Sequence, residues 1–329
     1  METSLDLSRW KEKPNGVAYR RWVIISTGLR QVLSTRFFRI MLFVSWMSSV
    51  LVAACVFCFS QSVASGGWLE TWAANFGRRP EAIAKALGAL VLLYPDICIR
   101  ALYTSTFWLQ SFAGLGLSLI AITSTVPQLI TRDRANNALI IYLSRPLTST
   151  DYLLGKLGII VGVLALFWTG PLLCGWLLSL LMAPNRDFFL YSLSPLSRAL
   201  LFNGIGVVAL ASIALGVSAL TKSSRNTILL WVGLWIIASV VASLPHTPDW
   251  IRRASFSRDL VEIRQQVFRL DTALLDAVEA LPLIDRNFTQ ALAKAGEKAA
   301  PQDVPGAVAG LTVLVVLSSV VFFRKLRPE

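Results

Sequence analysis

The sequence predicts an all-α integral membrane protein with six transmembrane helices, and three observations indicate that fold class. Of its 329 residues, 55% are hydrophobic and only 15% are charged, and the mean hydropathy of +0.61 is typical of membrane proteins. Six apolar runs are each long enough to cross about 30 Å of hydrocarbon as a helix. The basic residues are concentrated in the segments on one side of those runs.

The chain begins with a segment, residues 1–39, that is polar at first and then basic. Within it, residues 16–39 fit an amphipathic helix with arginines among the polar positions. Such a helix lies in the membrane surface with its apolar face in the lipid and Arg20, Arg21 and Arg30 toward the headgroups. That apolar face comprises Trp22, Ile25, Leu29, Val32 and Leu33. The alternative is an ordinary solvated helix that precedes the membrane.

The six predicted spans contain no Asp, Glu, Lys, Arg or His. They cover residues 40–60, 106–130, 157–182, 199–221, 227–244 and 306–323, within a transmembrane domain over 40–323. Before the second span, residues 81–96 hold an apolar stretch too short to cross, which we expect to be an interfacial or re-entrant helix outside the cell. Ion-coupled carriers and proton pumps place ionisable groups inside the membrane, so the composition of these spans argues against both classes.

Six spans put both ends of the chain on one side, and the charges select the side. Residues 1–39, 131–156, 221–226 and 324–329 carry 17 Lys and Arg against 6 Asp and Glu, whereas the rest of the chain carries 14 and 13. The positive-inside rule therefore predicts a multi-pass protein of the cell (inner) membrane with a cytoplasmic N-terminal segment and a cytoplasmic tail. Because almost all of the net charge of +12 is spread over four membrane-flanking segments, nucleic-acid binding is the weaker explanation.

The longest loop, residues 245–305, is expected to be helical and outside the cell. Apolar residues recur in it at steps of three and four, which indicates an amphipathic helix with one apolar stripe. The stripe has to be buried on a second subunit, on the Arg100 side of the same chain or on a periplasmic partner. Its members are Phe256, Leu260, Ile263, Val267, Leu270, Leu274, Val278 and Leu281.

The connection between spans two and three, residues 131–156, is charged and contains a helix of its own. Residues 135–143 fit a short amphipathic helix, which Pro146 ends. A second helix follows at the capping pair Thr148 and Asp151. Four charged residues keep the connection out of the lipid, because each would cost about 2.5–3.5 kcal/mol at the bilayer centre: Arg132, Asp133, Arg134 and Arg145.

This connection also carries a family resemblance. In order stand Asp133-Arg134, Leu139, Ser144-Arg145-Pro146-Leu147 and Tyr152-Leu153-Leu154-Gly155-Lys156. The set resembles the cytoplasmic signature of ABC-2-type transporter permeases, in which an acidic-Arg pair leads into Gly-Thr-Leu-Glu, a Pro and, nine residues later, a Gly-Lys. The chain departs from that signature at three places, with Asp133 for Glu, Asn137-Ala138 for Gly-Thr and Ile140 for Glu.

The resemblance implies that the chain is the permease subunit of an ABC transporter, an exporter, with a cytoplasmic coupling helix between spans two and three. A separate ATPase subunit then holds ATP and Mg²⁺, and this chain binds no cofactor. A second permease chain, identical or different, completes the unit in the lipid bilayer. The residues expected to couple to the ATPase are Arg132, Asp133, Arg134, Asn137, Leu139, Arg145, Pro146, Gly155 and Lys156.

Small and uncharged polar residues within the spans suggest where helices meet and where a solute passes. Three small-residue motifs allow close helix contact, either with the second permease or inside one bundle; they are Gly114-x-Gly116, Gly158-x-x-x-Gly162 and Asn203-Gly-Ile-Gly206. A path for an amphiphilic or hydrophobic solute would be lined by uncharged groups. The candidates are Ser111, Ser118, Asn203 and Ser212.

Other chemistry finds little support in the sequence. Gly155-Lys156 is not a phosphate-binding loop, because the pattern requires Gly where Thr150 stands and Ser or Thr where Leu157 stands. Cys55 and Cys58 have redox-like spacing but lie in an apolar run, where thiols ionise poorly. His246 is the only histidine, which leaves no His-based metal site and no catalytic triad. We therefore expect no enzyme; the alternative to a permease is a non-transporting scaffold, or a force-transmitting component acting on a periplasmic partner through residues 245–305.

Overall fold

A computed structural model describes most of the chain as helix. It covers residues 16–63, 68–78, 81–82, 85, 88–89, 93–127, 131, 133, 149–221, 223–244, 248, 255–279, 290, 294, 296 and 303–326. Within these ranges every regular element is helical, and six helices are long and apolar enough to cross a membrane. The prediction of an all-α, multi-pass membrane protein is confirmed at that level.

The helices follow the predicted order. Span 1 is Arg36–Val63, span 2 is Pro95–Val126, span 4 is Asp187–Leu220 and span 6 is Val304–Leu326. Spans 3 and 5 each contain a π-helical segment, so that span 3 reads Ser149–Leu164, Ala165–Thr169 and Gly170–Leu181, and span 5 reads Ser224–Val232, Gly233–Ile237 and Ala238–Ser243. The described residues further include the N-terminal helix Val17–Leu33, the short helix Trp68–Ala74, the first loop helix Phe256–Phe268 and the second loop helix Leu270–Glu279.

Spans 2 and 4 begin about three turns earlier than predicted. Their extra turns carry charged residues such as Arg100 and Arg198. Because the prediction searched for uncharged runs, it left these turns out, although the helices include them. Pro95 begins span 2, where its missing N–H is no loss. Pro95 and Asp96, the last two residues of the stretch 81–96 that was predicted to be an interfacial or re-entrant helix, therefore belong to span 2, and much of that stretch lies outside the described residues.

Span 4 lies at the centre of the bundle. It packs on span 2, on span 6 and on the first loop helix. More than half of the most apolar window is buried in spans 2 and 4, against less than a third in spans 1, 5 and 6. The outer spans expose large apolar side chains such as Phe43, Ile237 and Val313, as expected of surfaces that face lipid or a second membrane chain.

The N-terminal helix runs parallel to the first half of span 3. Ile25 packs at Gly158, and Leu29 packs at Gly162. The prediction that these two side chains lie in the lipid is therefore wrong, because the glycines leave room on span 3 for branched side chains to approach the backbone. The helix itself is confirmed, and it ends at Leu33, just before span 1.

One glycine of each of the other two small-residue motifs also packs within the same chain. Gly114 of span 2 and Gly206 of span 4 both contact the indole of Trp168, which lies in the π-helical segment of span 3. The Trp168 ring also meets Phe202 edge-on, with centroids 5.4 Å apart. Of the two predicted alternatives, internal packing describes these glycines, which fix one large side chain between three spans.

Span 1 follows the second half of span 3 in the same direction. Pro171 has no N–H, so the carbonyl of Phe167 lacks the donor that would lie one turn further along the helix. The Ser45 hydroxyl of span 1 donates to that carbonyl instead. The Trp46 indole N–H donates to the neighbouring Leu166 carbonyl at 3.0 Å. Span 1 therefore supplies the hydrogen bonds that the π-helical segment of span 3 cannot make within itself.

The first part of the apolar stripe of the longest loop is buried on the protein's own spans. The first loop helix packs on spans 4 and 6, with Phe256, Leu260 and Ile263 buried. The second loop helix packs on span 2, the span that carries Arg100. The same chain, one of the three partners considered, buries the first part of the stripe, whereas Leu270, Leu274 and Val278 are half-buried and Leu281 lies outside the described residues.

Arg264 fixes the first loop helix to span 2. Its side chain is 4% exposed, and its guanidinium lies 4.7 Å from the ring centroid of Trp108 and 5.2 Å from that of Phe112. The Nε and Nη1 atoms have no hydrogen-bond partner among the described residues. Burial lowers the pKa of Arg264 below its ordinary value, and the two aromatic faces provide the attraction that a carboxylate would otherwise provide.

Candidate functional site

The candidate site is a charged joint formed by Asp133, Tyr152 and Lys156 where span 2 leads into span 3. The Lys156 ammonium lies 2.7 Å from Oδ2 of Asp133, and the Tyr152 hydroxyl donates to the same oxygen at 2.6 Å. Tyr152 and Lys156 are one helical turn apart, so both reach the same side of span 3. The ammonium also lies 5.4 Å from the centroid of the Tyr152 ring.

The joint is largely withdrawn from solvent. The side chains of Lys156 and Asp133 are 11% and 16% exposed. At such low exposure an ion pair is sensitive to loss of either partner, because the remaining charge is left in a poorly hydrated site. Asp133 was expected to pair with an ATPase surface; its Oδ2 is instead engaged within the chain.

A second ion pair attaches the N-terminal helix to the same end of span 3. Two nitrogens of Arg21 converge on Oδ1 of Asp151, Nη2 at 2.5 Å and Nε at 2.7 Å. Asp151 lies in the first helical turn, where the helix dipole favours a carboxylate. The sequence assigned Asp151 to a cap with Thr148, which lies outside the described residues, and placed Arg21 toward lipid headgroups, so this pair was missed.

Gly155 lies at a close contact between the N-terminal helix and span 3. A Cβ atom at Gly155 would lie 2.7 Å from Cγ2 of Ile24. The reverse contact is present as well, because Ile159 of span 3 packs against Gly28 of the N-terminal helix. Glycine in the middle of a helix is a signal of such an approach, and Gly28 was the one sign in the sequence that this helix has a protein partner.

A buried hydroxyl cluster, formed by Thr131, Ser218 and Thr227, lies beyond the end of span 2. The Thr131 hydroxyl donates to the Ser218 carbonyl at 3.1 Å and lies 3.0 Å from the Thr227 hydroxyl. The Ser218 hydroxyl donates in turn to the Val126 carbonyl of span 2 at 3.0 Å. The end of span 2 is thereby attached to the adjoining ends of spans 4 and 5. This cluster could not be predicted from the sequence, because Ser and Thr are common throughout the spans.

The connection between spans two and three is therefore held at both ends, by the hydroxyl cluster at Thr131 and by the charged joint at Asp133 and Lys156. Three predicted coupling residues have described positions, and two of them, Asp133 and Lys156, are in contact. The third, Gly155, contacts the N-terminal helix instead. The remaining predicted coupling residues lie outside the described part of the chain: Arg132, Arg134, Asn137, Leu139, Arg145 and Pro146.

The residues predicted to line a solute path are mostly buried between helices. Ser111, Ser118 and Asn203 are at most 5% exposed. The Asn203 side-chain oxygen lies 3.2 Å from the Thr169 hydroxyl, which donates to it. Ser212 lines a cavity of about 180 Å³ between spans 3, 4 and 6. A common path through these four positions stays a prediction.

The geometry of the described residues supports neither a metal site nor reactive thiol chemistry. Among the described residues no group of three or more His, Cys, Asp or Glu could hold a metal ion. Cys55 and Cys58 are both free thiols exposed on the outer side of span 1. His246 lies outside the described residues.

Neither the family models nor the curated proteins compared with this chain give a match.

Proposed function

We propose that the chain is the membrane-spanning permease subunit of an ABC transporter of the ABC-2 type, and that it exports a solute with energy from ATP hydrolysed by a separate ATPase subunit. Six apolar helices and the ordered signature around Asp133 and Lys156 support this proposal. The observation that carries it is the charged joint. Its ion pair and hydrogen bond tie the beginning of the connection between spans two and three directly to span 3, so that a displacement of the connection can pass to that span.

In this mechanism the ATPase dimer closes on ATP and pushes on the short helix expected at residues 135–143. The push enters span 3 through the ion pair of Asp133 and Lys156. It enters spans 2, 4 and 5 through the hydroxyl cluster. The N-terminal helix moves with span 3, because Arg21 holds Asp151 and Ile24 packs on Gly155.

The proposed assembly contains two permease chains, identical or different, and two ATPase subunits in the cell (inner) membrane. The positive-inside rule puts the charged joint and both termini in the cytoplasm, where ATP is available. Spans 1, 5 and 6 expose most of their apolar surface, which supplies area for the lipid bilayer and for the second permease. Rocking of the two bundles then opens a path between them.

The alternative is a scaffold that acts on a periplasmic partner through the longest loop. Packing of Phe256, Leu260 and Ile263 on the chain's own spans favours the permease over this alternative. The buried first part of the stripe is not free to recruit another protein.

The test is a pull-down of the tagged, detergent-solubilised chain from its native membrane, followed by mass spectrometry and an ATPase assay. We expect recovery of a soluble protein with a phosphate-binding loop and measurable ATP hydrolysis. Arg134→Glu should abolish that recovery, whereas the matched Arg30→Glu, at an exposed position of the N-terminal helix, should not. Recovery of a periplasmic protein without an ATPase would replace the permease with the scaffold.

A further inference from the structure

A cavity of about 210 Å³ lies between the first turns of span 2, the first turns of span 4 and the second loop helix. Three arginines line it, Arg100 from span 2, Arg198 from span 4 and Arg269 from the junction of the two loop helices. We call it the arginine cavity. The charged joint lies at the other end of span 2, roughly 38 Å away at 1.5 Å per residue over the 25 residues between Ala101 and Val126.

The arginine cavity has an excess of positive charge. Its lining includes one acidic residue, Asp276, against the three guanidinium groups. Among the described residues no carboxylate lies within 4.0 Å of Arg100, Arg198 or Arg269. Like charges that share one cavity raise its potential and attract an anion from solution or from the membrane surface.

Contacts with neighbouring groups orient two of the three guanidinium groups. Arg100 lies over the ring of Tyr191, 5.6 Å from its centroid. Nη1 of Arg198 donates to the Phe268 carbonyl at 3.5 Å, which joins span 4 to the end of the first loop helix. The remaining N–H groups of each planar fork are available to a ligand.

The backbone at Arg269 adds a local peculiarity. Its φ of 46° and ψ of 51° are left-handed, and it is the one non-glycine residue with positive φ in the described chain. Glycine or asparagine usually occupies that place after a helix. The left-handed turn redirects the chain into the second loop helix, so that both Arg269 and Asp276 line the cavity.

We propose that the arginine cavity binds a phosphate group, carried either by a lipid headgroup or by a soluble phosphate ester. Guanidinium forks match phosphate oxygens in pairs, and the excess of two positive charges suits a group of charge −1 to −2. The cavity volume is about 210 Å³. That is room for a phosphate and a short attached group, but less than the pockets that enclose a whole drug-sized solute.

This inference does not rest on the proposed transport function. The cavity is formed by one chain and lies at the end of the bundle opposite the charged joint. A phosphate site there can be present whether or not an ATPase binds the other end. Failure of the pull-down and failure of phosphate binding are therefore separate results.

The experiment compares the purified full chain, with any subunit that accompanies it, to a double variant, Arg100→Gln with Arg198→Gln. Phosphatidylglycerol in detergent micelles probes the lipid source, and retained lipid is counted by native mass spectrometry. sn-Glycerol 3-phosphate and inorganic phosphate probe the soluble source, read as a shift in melting temperature. Each charge-assisted contact is worth about tenfold in affinity, so the double variant should bind roughly a hundredfold more weakly.

The matched control is Arg186→Gln, an exposed arginine at the start of the same span 4 that does not line the cavity. Arg269→Asn is the second variant, because asparagine tolerates the left-handed backbone while removing the charge. Lipid retained by the wild type and the control but lost by the variants supports the proposal with a lipid source. A melting shift by glycerol phosphate with the same dependence supports it with a soluble source. Binding that survives in the folded variants, equal loss in the control, or no binding of any probe would overturn it.

Discussion

Lys156 is held by two kinds of interaction, an ion pair with Asp133 and a contact with the face of Tyr152. Both interactions stabilise the charged ammonium, which is nearly buried and has little contact with water. Tyr152 also donates to the carboxylate, so that each member of the joint contacts the other two. A joint of this kind has one well-defined geometry, which suits a point through which a displacement has to pass.

The first prediction concerns a double-mutant cycle on this pair. Asp133→Asn and Lys156→Gln should each lower the free energy of unfolding by about 3 kcal/mol, because each leaves a poorly hydrated charge without its partner. The double variant should lose less than the sum, with a coupling energy of about 1–3 kcal/mol. Unfolding in detergent, followed by circular dichroism, measures all four proteins.

Lys85→Gln serves as the control for that cycle. Lys85 forms an ion pair with Glu81 at 2.7 Å, but its side chain is 55% exposed, so the change should be below about 1 kcal/mol. Additive losses at Asp133 and Lys156 would show that the two side chains are not energetically coupled.

The second prediction concerns the Ser45 hydroxyl of span 1, which donates a hydrogen bond to a carbonyl of span 3. Ser45→Ala should lower the stability by about 1–2 kcal/mol, because it leaves the Phe167 carbonyl without that donor inside the membrane. Ser197→Ala is the matched change, since its exposed hydroxyl bonds the Ser194 carbonyl of its own helix. Thermal melting of both variants in one detergent gives the comparison, and equal melting temperatures would contradict the assigned role of Ser45.

At this scale the sequence could indicate some site residues and not others. Asp133 and Lys156 were named from their order and spacing along one short segment. Arg21 was not, because its partner Asp151 is 130 residues away and no spacing rule relates two residues at that distance. Thr131 resembles every other threonine in the spans, and only the fold brings it to Ser218.

Among the elements, span 4 illustrates how a glycine decides helix packing. A Cβ atom at Gly216 would lie 2.8 Å from Cβ and 3.0 Å from Cα of Ser318 in span 6, whereas at Gly204 it would meet nothing within 4 Å. The two glycines occupy one helix and differ only in their surroundings. The backbones of spans 4 and 6 can therefore approach closely at Gly216.

The third prediction follows from that contrast. Gly216→Ala should destabilise the protein by about 1–3 kcal/mol, since neither backbone can yield without loss of packing. Gly204→Ala should leave the stability unchanged or raise it by up to about 1 kcal/mol through helix propensity. Unfolding free energies of the two variants in the same detergent decide the matter. A loss at Gly204 equal to that at Gly216 would contradict the assigned contact.

The elements themselves were more predictable than their ends and their neighbours. Long uncharged runs identified all six spans, because the cost of burying a charge in lipid dominates everything else. The same criterion cut spans 2 and 4 short at charged turns such as the one with Arg100. The amphipathic pattern indicated that Ile25 and Phe256 lie on apolar helix faces that have to be buried. It does not indicate whether lipid, another chain or the same chain buries them.

For the whole molecule, the arginine cavity and the charged joint lie at opposite ends of span 2. One cavity concentrates positive charge on the end expected outside the cell, in addition to the basic segments expected in the cytoplasm. The two ends therefore differ in their chemistry. One end holds paired charges that join helices, and the other holds guanidiniums with room for a ligand.

The fourth prediction tests that orientation. In a background with the four native cysteines replaced by alanine, we introduce Gly16→Cys before the N-terminal helix or Glu279→Cys at the end of the second loop helix. A membrane-impermeant maleimide should label the Glu279→Cys protein in intact cells and the Gly16→Cys protein only after lysis. The reverse pattern would put the charged joint outside the cell and remove the proposed access to an ATPase. Equal labelling of both would contradict the six-span topology.

The parallel pairing of the N-terminal helix and span 1 with span 3 sets an order for biosynthesis. Arg21 meets a residue made 130 positions later, and Ser45 and Ser49 donate to carbonyls made 122 positions later. At about 5–20 residues per second, the ribosome needs roughly 6–26 s to supply those partners. During that interval the serines of span 1 lack the carbonyls that they bind in the folded protein. The beginning of the chain thus reaches its final packing only after the middle of the chain has been inserted.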